Sequence, residues 1–574
     1  MRQHLHKPAS RFRLSIVYVA VSCATLMLVW RAVDLHVFHK DFLQDQGDAR
    51  YLRVVPIPAH RGMIVDRHGE PLAISTPVDS VWVQPAAFNS AYSEWPKLAK
   101  LLKLDLAHIQ RTVSQREDKE FVYLKRHISP DLAKRVMALE LPGVNLQREY
   151  HRYYPAGEVV AHVLGFSNVD DRGQEGLELA YDHWLKGVPG SQRVLKDRLG
   201  RVVRHVEQIR KPVPGRDLIL SLDRRLQYLA YRELKKAVMQ HKARSGSAVI
   251  LDVQSGEVLA MVNQPSYNPN NRDQFKVSQM RNRAVTDLLE PGSTVKPFTI
   301  VAALESGRFR ASSLVDTTPG RIRFGKAVIS DSRNYGQISL AKVIQKSSNV
   351  GASKIALALP DETLWKVHAR LGFGNATDSG FPGEAGGLLS HARHWRDIEK
   401  ATLAYGYGLS VTPLQLTRAY SVLATNGVLK PVSFLRTDGV IEGERIFAAS
   451  TARQVSRMLE AVVLEGGTGT RAQIAGYKVA GKTGTVKKAV AGGYSEDRYI
   501  AVFAGIAPAS QPRLAMVVTI NEPRGDTYYG GEVAAPVFSK VMAGALRMMG
   551  VPPDDLSLRP LKIAALKHPA GGRP

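Results

Sequence analysis

Residues 247–261, SAVILDVQSGEVLAM, contain two short apolar runs on either side of Ser255-Gly256. Apolar runs joined by a tight glycine turn are typical of a β-hairpin. Helical spacing of apolar residues dominates from 294 to 423. Strand-like runs then return at 477–485, 500–506 and 514–520. A hairpin separated by helices from later strands predicts an α+β domain, with helices inserted in one antiparallel sheet.

Composition and charge limit the classes of protein that the chain can represent. It has 574 residues, 44% of them hydrophobic, and 78 Lys+Arg against 52 Asp+Glu give a net charge of +26. This is a globular composition, which excludes a disordered or fibrous chain. A single cysteine, Cys23, excludes an intramolecular disulfide. The positive charge is spread along the chain without zinc-finger spacing or an aromatic RNA-binding pattern, so the sequence does not favour nucleic-acid binding.

Residues 14–30, LSIVYVAVSCATLMLVW, form an uncharged apolar run near the N-terminus. At 1.5 Å per residue, this run covers about 26 Å, close to the thickness of a hydrocarbon core. Four basic residues precede it and the first acidic residue is Asp34, so the positive flank favours a cytoplasmic N-terminus. A cleaved signal peptide is the less favoured alternative, because the apolar run is too long. We expect one membrane helix over 14–33, with 1–13 in the cytoplasm.

The remaining chain divides at a Pro-rich segment, 212–215. Before it, residues 34–215 alternate short apolar runs with turn residues, which predicts a β-rich domain with some helix. After it, residues 216–550 carry the α+β pattern. Residues 551–574 are rich in Pro, Gly, Lys and Arg without a sustained apolar pattern, which predicts a flexible basic tail.

The first candidate site is the stretch 290–297, EPGSTVKP. Its Pro-Gly turn places Ser293 at the start of a helix, where free N–H groups and the helix dipole favour a developing oxyanion. Pro297 suits a first helical turn. Ser293 and Lys296 are three residues apart and share a helix face, so a buried neutral lysine can take the proton of the serine. The spacing alone is weak, because Ser339 and Lys342 repeat it, where we expect an ordinary solvated lysine.

The second candidate element is the stretch 347–349, Ser-Ser-Asn, in a predicted loop between helices. The Ser347 hydroxyl can pass a proton to a leaving amine, and Asn349 can donate to and accept from a substrate amide. Ser332 and Asn334 have the same spacing, and the neighbouring Asp331 and Arg333 suggest a surface turn there. Spacing alone leaves both pairs open.

The third element is the stretch 481–485, GKTGT, at the end of an apolar run. Strand alternation points Lys482 and Gly484 to one side and Thr483 and Thr485 to the other. Gly484 lets a substrate backbone pass closely, and Lys482 adds positive charge. A peptide could pair along this strand, with the Thr485 N–H helping to hold an oxyanion. The alternative is an edge strand that a lysine protects from association.

The three elements occur in the order Ser-x-x-Lys, Ser-x-Asn, Lys-Thr-Gly, the set typical of penicillin-binding proteins and class A β-lactamases. The chain resembles the class B penicillin-binding proteins, most closely their cell-division type. Further motifs carry the resemblance: RGMIVDRHGEPLA at 61–73, RYYPAG at 152–157, GQEGLE at 173–178, GYG at 406–408 and TPLQ at 412–415. The resemblance implies a membrane anchor, an extended non-catalytic pedestal or dimerisation domain over 34–215, and a transpeptidase domain of serine β-lactamase-like fold over 216–550.

The resemblance also implies roles for individual residues. Ser293 would be the acylated nucleophile and Lys296 its base, with Ser347 as proton shuttle. The context of 347–351 matches the family, which favours Ser347 and Asn349 over the competing pair. The residues that would bind the terminal carboxylate of the donor peptide and complete the oxyanion hole are Lys482, Thr483, Gly484 and Thr485. Those that would line the pocket are Tyr407, Tyr528 and Tyr529. No metal or organic cofactor is implied.

The implied reaction is acyl transfer between peptidoglycan stem peptides. A serine attacks the D-Ala-D-Ala bond, D-alanine leaves, and an amine of a neighbouring stem peptide takes the acyl group. β-Lactam antibiotics would acylate the same serine. The resemblance further implies a SEDS-family glycosyltransferase and other division proteins as partners. It places the chain in the bacterial inner membrane at the division septum, with a periplasmic catalytic domain and no nucleic-acid partner.

Several related activities remain as alternatives. An elongation-type transpeptidase usually carries Asp where Asn349 stands. A class A β-lactamase needs a Glu-x-x-Leu-Asn loop, and the stretch after Asn349 shows no clear match. A D,D-carboxypeptidase would pass the acyl group to water and usually has a different domain order. A catalytically silent division scaffold is the alternative from a different class, because motifs alone do not prove turnover.

Overall fold

The computed structural model describes residues 11–40, 52–196, 202–271, 276–439, 441–490 and 493–555. The predicted cytoplasmic tail, 1–13, and the predicted basic tail, 551–574, lie mostly outside these residues. The chain forms two compact units. The first takes residues from 1–60, 76–151 and 187–214, and the second from 61–75, 152–186 and 215–574.

A long apolar helix begins the described chain. It spans Arg11–Val33 and continues for about one turn as a π-helix, Asp34–Phe38. None of the residues of Arg11–Val33 is buried within the protein. Within the described residues, Arg11–Phe38 is the one helical segment long and apolar enough to cross a membrane, with a mean hydropathy of 2.0. The helix contains the predicted span.

The first unit combines strands with short helices. An antiparallel sheet has the strand order Leu52–Ile57, Gly190–Lys196, Val202–Arg210. The part of strand Pro71–Val83 that belongs to this unit pairs antiparallel with Val122–Ile128. The strand Val144–Tyr153 ends near the unit boundary. The helices of the first unit are Pro85–Phe88, Trp95–Leu102, Leu106–Ser114 and Pro130–Met137. A buried apolar cluster holds this part together, with the rings of Phe88 and Trp95 stacked at 4.6 Å.

The second unit is built on an antiparallel sheet. Within the described residues this sheet has five strands, in the order Val258–Gln264, Ser245–Asp252, Leu514–Asn521, Gly493–Ala507, Ala480–Val490. The first two strands form the predicted hairpin, and the other three follow the helical region. The predicted α+β class, with helices inserted in an antiparallel sheet, is therefore confirmed. The strand with the Lys-Thr-Gly motif lies at the edge of the sheet.

Helices cover both faces of this sheet. Successive strand residues point to opposite faces, so Val502 and Ala504 join one buried cluster while Ala501 and Phe503 join the other. The longer helices of the first cluster include Lys296–Glu305, Pro413–Ala424 and Ala449–Val463. The helices of the second cluster are Arg224–Gln240 and Ala535–Met548. The sheet is thus the middle layer of three.

Smaller elements complete the second unit. Its shorter helices include Ala161–Leu164, Gly176–Ala180, Asp182–Leu185, Val277–Met280, Arg283–Thr286, Leu340–Lys346, Asn349–Leu357, Asp361–Arg370, Asp397–Leu403 and Gly530–Val533. Ile64–Val65 pairs antiparallel with the start of strand Pro71–Val83 and parallel with Leu218–Ile219. The two-stranded sheets of this unit are Leu314–Asp316 with Gln337–Ser339, Arg321–Phe324 with Ala327–Ser330, and Val428–Leu429 with Glu444–Arg445.

A buried ion cluster joins three sequence motifs of the second unit. Arg61, Arg152 and Glu178 are at most 3% exposed. The Arg61 guanidinium lies 2.7 Å and the Arg152 guanidinium 2.6 Å from the Glu178 carboxylate. Arg61 also donates to Asp182 at 2.7 Å. The motifs at 61–73, 152–157 and 173–178 therefore share a structural function as partners in one charge network.

Replacing Arg61 with alanine should strongly destabilise the second unit. The change leaves the buried Glu178 carboxylate with less compensating charge, and breaking a buried ion pair costs about 3–5 kcal/mol. The control is Arg224→Ala, because Arg224 pairs with Glu70 at 3.3 Å on the surface and such pairs contribute less than about 1 kcal/mol. Urea denaturation measures the free energy of unfolding. Equal losses in the two variants would contradict the structural role of the cluster.

Candidate active site

Ser293 lies on a short 3-10 turn that opens a helix. The turn, Gly292–Val295, leads directly into the helix Lys296–Glu305, which has proline in its first turn. The buried Tyr420 hydroxyl donates to the Thr294 carbonyl at 2.8 Å and holds the turn against the core. Ser293 itself is half buried. The segment therefore presents the serine at a helix start, as its sequence predicts.

The amine of Lys296 is fully buried among oxygen atoms of the second motif. It donates to the Ser347 carbonyl at 2.5 Å, to Asn349 Oδ1 at 2.8 Å and to Ser347 Oγ at 3.2 Å. Burial and the like charge of Lys482 lower the pKa of Lys296 well below its usual value, while Asp331 opposes the shift. A lysine whose neutral form is favoured can accept a proton, which is the property that a general base requires.

The second motif forms a tight turn between two helices. The helix Leu340–Lys346 ends at Ser347, which has a left-handed backbone with φ of 58°. Such a conformation is uncommon for a residue with a side chain. Ser348 caps the helix Asn349–Leu357 by accepting from the Gly351 N–H at 2.8 Å. The turn therefore fixes the direction of the Ser347 side chain.

The hydroxyl of Ser347 lies between two buried lysines. It accepts from Lys296 Nζ at 3.2 Å and from Lys482 Nζ at 3.0 Å. Both donors come from separate elements, the nucleophile helix and the edge strand, so the hydroxyl joins all three motifs. A hydroxyl with two amine neighbours is placed to relay a proton.

Asp331 holds this turn in place, and sequence analysis missed it. Its carboxylate accepts from Ser348 Oγ at 2.5 Å, from the Asn349 N–H at 2.5 Å and from the Val350 N–H at 3.1 Å. A carboxylate at these N–H groups also complements the helix dipole. The surface turn that the sequence predicts at this position is correct for the exposed Ser332, whereas Asp331 is half buried against the second motif.

We expect Asp331→Ala to slow acylation of the protein by penicillin about ten- to hundredfold. The change removes the acceptor that fixes Asn349, and small misplacements of active-site groups cause losses of this size. The control is Asp316→Ala, because Asp316 is exposed and accepts from Thr318 N–H at 2.8 Å outside the turn. Stopped-flow acylation measures the rate, and an unchanged rate in Asp331→Ala would contradict the positioning role.

Lys482 is buried on the edge strand Ala480–Val490. Its amine lies 3.0 Å from Ser347 Oγ and 3.0 Å from the Thr483 carbonyl. Burial lowers the pKa of Lys482 to about 7. The residue therefore changes charge near neutral pH, in contrast to an exposed lysine.

The next residues of this strand alternate as the sequence predicts. A Cβ at Gly484 would lie 3.1 Å from the Pro291 carbonyl oxygen and from the Thr294 methyl group, so the nucleophile turn leaves little room for a side chain. Thr483 Oγ1 lies 2.8 Å from Thr468 Oγ1. Thr485 Oγ1 accepts from the Gly530 N–H at 3.0 Å. The edge strand is thus packed directly against the nucleophile turn.

Tyr407 belongs to a layer of tyrosines beside the nucleophile turn. Its ring centroid lies 5.5 Å from that of Tyr405 and 5.2 Å from that of Tyr494. Glu290 connects the layer to the turn, because it accepts from the Gly408 N–H at 2.8 Å and from the Tyr494 hydroxyl at 2.9 Å. Glu290 belongs to the first motif, but its contacts with Gly408 and Tyr494 lie more than 100 residues away in the chain and could not be predicted from the motif.

Tyr528 and Tyr529 form a second aromatic group with Tyr499. The ring centroids of Tyr499 and Tyr528 are 4.1 Å apart, and those of Tyr528 and Tyr529 are 4.5 Å apart. Tyr529 directly precedes Gly530, the residue that donates to Thr485. This group therefore lies next to the third motif.

The competing sequence matches lie elsewhere. Ser339 caps the helix Leu340–Lys346 by accepting from the Lys342 N–H at 3.3 Å, and the Lys342 side chain is exposed. Ser332 is exposed and its hydroxyl lies 3.0 Å from that of Tyr335. The structure brings together the pair 347 and 349, with Lys296 and Lys482, and leaves the other matches at the surface.

The arrangement is suited to serine acyl transfer. It combines a serine at a helix start, a buried lysine with a lowered pKa, a hydroxyl between two amines and a sheet edge on which a peptide can pair. Helix-start N–H groups can stabilise an oxyanion. This chemistry needs no group other than side chains and backbone.

Two family models match the chain. The model described as "Penicillin binding protein transpeptidase domain" matches residues 246–543, which include all three motifs. The model described as "Penicillin-binding Protein dimerisation domain" matches residues 56–220. Together they cover most of the chain beyond the N-terminal helix.

Similar proteins and structures agree with these models. The chain is 45% identical to "Peptidoglycan D,D-transpeptidase FtsI" of Escherichia coli K12, over 97% of this chain and 95% of that protein. It is 41% identical to "Probable peptidoglycan D,D-transpeptidase PenA" of Neisseria meningitidis serogroup A, over 99% and 97%. The solved transpeptidase domain of Burkholderia pseudomallei penicillin-binding protein 3 is 43% identical, with a TM-score of 0.55, over 58% of this chain and 98% of that one. The chain therefore belongs to the class B penicillin-binding proteins.

Proposed function

We propose that the chain is a peptidoglycan D,D-transpeptidase that cross-links stem peptides during septal cell-wall synthesis. Family membership and the names of the Escherichia coli and Neisseria relatives support this reaction. The observation that carries the assignment is the meeting of Lys296 and Lys482 at the Ser347 hydroxyl, beside the turn that holds Ser293. The same family membership supports peptidoglycan as substrate and β-lactams as inhibitors.

In the proposed acylation step, Ser293 Oγ attacks the carbonyl carbon of the D-Ala-D-Ala peptide bond. Lys296 takes the hydroxyl proton, because its lowered pKa favours the neutral amine. The carbon–nitrogen bond breaks, and the leaving D-alanine amine receives a proton through Ser347. Asn349 is available to bind the substrate amide next to this hydroxyl. The product is a serine ester and free D-alanine.

In the proposed transfer step, the amine of a second stem peptide attacks the ester carbon. Lys296 takes a proton from this amine and returns it to Ser293 Oγ as the ester bond breaks, and a new amide joins the two strands. A β-lactam would acylate Ser293 in the same way, but its ring-opened product stays attached and leaves no amine to diffuse away. The enzyme would then be blocked.

The edge strand is the proposed site of the donor peptide. Lys482, when protonated, and Thr483 would bind its terminal carboxylate, and the N–H groups of Ser293 and Thr485 would hold the oxyanion. The sequence predicts that Gly484 makes room for a substrate backbone, but its missing side chain instead lets the strand pack closely against the nucleophile turn, since a Cβ there would lie 3.1 Å from the Pro291 carbonyl oxygen. The pocket walls would come from Tyr407 and from the group of Tyr528 and Tyr529, whose aromatic rings suit the apolar parts of a peptide or antibiotic.

The proposed cellular arrangement follows from the N-terminal helix. Its length and apolar surface support a membrane anchor, and the basic N-terminal flank supports a cytoplasmic N-terminus with the remaining chain in the periplasm of a bacterial inner membrane. Residues 34–215 would serve as a pedestal for a transpeptidase domain over 216–550. A SEDS-family glycosyltransferase and other division proteins are the proposed partners at the septum.

An exchange experiment tests the function. The full chain in detergent is incubated with a synthetic stem pentapeptide ending in D-Ala-D-Ala and with isotopically labelled D-alanine. We expect label to enter the pentapeptide, because D-alanine can act as the acceptor of the acyl-enzyme. Ser293→Ala should show no exchange. Release of D-alanine without exchange would instead indicate a carboxypeptidase, and neither reaction would indicate a silent scaffold.

A further inference from the structure

A small hairpin next to the second motif presents an exposed charged face. Its strands, Arg321–Phe324 and Ala327–Ser330, pair antiparallel, with Arg321 opposite Ser330 and Ile322 opposite Ile329. Opposite residues of such a pair point to the same face. One face carries the buried Ile329 and half-buried neighbours, while the other carries exposed residues. The hairpin therefore has an inner apolar face and an outer solvent face.

The outer face and the tip of this hairpin are basic. Arg321 and Arg323 are exposed on the outer face, and Lys326 is exposed at the tip. In the described part of the chain, none of these three side chains forms an ion pair. The surrounding stretch, 317–360, contains seven Lys or Arg residues and one acidic residue, Asp331. The Asp331 carboxylate is already bound to the second-motif turn, so the hairpin charges are not compensated within this stretch.

The hairpin is directly connected to the catalytic turn. Asn349 Nδ2 donates to the carbonyl of Ser330, the last residue of the hairpin, at 3.3 Å. The next residue, Asp331, accepts from the Asn349 N–H at 2.5 Å. The hairpin therefore ends beside Asn349, whereas the proposed donor site is the edge strand with Lys482. The hairpin and the edge strand with Lys482 are thus connected to the Ser347–Asn349 turn through different elements.

We propose that this hairpin binds the carboxylates of the acceptor stem peptide and so selects the second substrate of the transfer step. The proposal rests on the proposed transpeptidase function. The donor peptide occupies the edge strand, so the acceptor must approach from another side of Ser293. Stem peptides carry several free carboxylates, and three exposed cations on a hairpin that contacts Asn349 attract them and orient the peptide. The hairpin then favours aminolysis by a stem peptide over hydrolysis.

The test compares the fate of the acyl-enzyme in two full-length proteins in detergent. The variant carries Arg321→Gln, Arg323→Gln and Lys326→Gln together. An acyl-D-alanyl thioester supplies the donor, and the acceptor is the tripeptide L-Ala-γ-D-Glu-meso-diaminopimelate. We expect the ratio of aminolysis to hydrolysis to fall about tenfold in the variant, because three exposed charge contacts are lost. Acylation by the thioester should stay unchanged.

A second acceptor shows whether charge is the cause. The same tripeptide with its carboxylates converted to carboxamides should react equally with both proteins. The tenfold difference for the carboxylate form should shrink in 1 M NaCl, where charges are screened beyond about 3 Å. The control triple variant, Arg232→Gln, Lys236→Gln and Lys242→Gln, removes three exposed cations around a helix on the other face of the sheet. It should behave like the unchanged protein.

Two outcomes separate this proposal from the function on which it rests. If the unchanged protein is acylated and the hairpin variant gives the same aminolysis ratio, the hairpin does not bind the acceptor, and an acidic protein partner becomes the candidate ligand. A fall that is equal for the carboxylate and carboxamide acceptors also overturns the proposal, since charge recognition would then be absent. Failure of the unchanged protein to form any acyl-enzyme contradicts the transpeptidase function instead.

Discussion

The Lys296→Met variant is expected to lose at least about a thousandfold in its rate of acylation by penicillin. The buried amine is the proposed base for Ser293, and general bases contribute up to about four orders of magnitude to such steps. Methionine has a similar length and no titratable group, so it fills the same buried space. Stopped-flow fluorescence with a labelled penicillin measures the rate.

The matched control for this variant is Lys342→Met. Lys342 stands in the second Ser-x-x-Lys match, is exposed, and follows the cap residue Ser339. Its replacement should leave acylation within about a factor of two. Thermal unfolding of both variants shows whether the fold is retained. A folded Lys296→Met protein that still acylates at the normal rate would require another base.

The second large effect is expected from Lys482→Gln and appears in the pH profile. Burial lowers the pKa of Lys482 to about 7, so its positive charge is present below that pH and is lost above it. If this charge binds the donor carboxylate, acylation should decline above about pH 7 in the unchanged protein. Charge-assisted hydrogen bonds contribute about 1.5–3 kcal/mol, so the variant should acylate about ten- to a hundredfold more slowly at lower pH. Its decline above pH 7 should disappear.

The Lys482→Gln variant should also shift the acidic limb of the pH profile of acylation. The charge of Lys482 lowers the pKa of Lys296, so its removal raises that pKa and shifts the acidic limb to higher pH. Second-order acylation rates between pH 5 and 9 measure both limbs. Lys487→Gln is the control, because Lys487 lies on the same strand but pairs with Glu496 near the surface. A Lys482→Gln profile with both limbs unchanged would show that Lys482 does not act through its charge.

Much of the central sheet could be predicted from periodicity. The apolar runs at 248–251 and 514–520 lie in buried strands, where hydrophobic pattern and structure coincide. The strand predicted from 500 begins at Gly493, because its first residues extend beyond the core and are largely exposed. The strand predicted over 477–485 instead spans Ala480–Val490. It extends past 485 because its last residues are also partly or fully exposed. Exposed strand ends carry no hydrophobic signal, so their bounds could not be predicted.

The candidate site also contains residues that could be predicted from the sequence and residues that could not. Motif order and local spacing predict Ser293, Lys296 and Lys482 as site residues, because each lies within a few residues of a recognisable turn or strand. Asp331 could not be identified in this manner, since the groups that it binds follow 17 to 19 residues later in the chain. The Arg61 contact with Glu178 spans 117 residues. Contacts of this kind depend on the tertiary fold, and single-sequence spacing contains no information about them.

Mapping the penicillin adduct is the most direct test of the central claim, that Ser293 is the acylated nucleophile. The full chain is incubated with benzylpenicillin, digested and analysed by mass spectrometry, with Ser293→Ala and Ser339→Ala as comparison proteins. We predict one stable adduct on the peptide that contains Ser293, absent in Ser293→Ala and unchanged in Ser339→Ala. An adduct on another serine, or no adduct on a folded protein, would contradict the account.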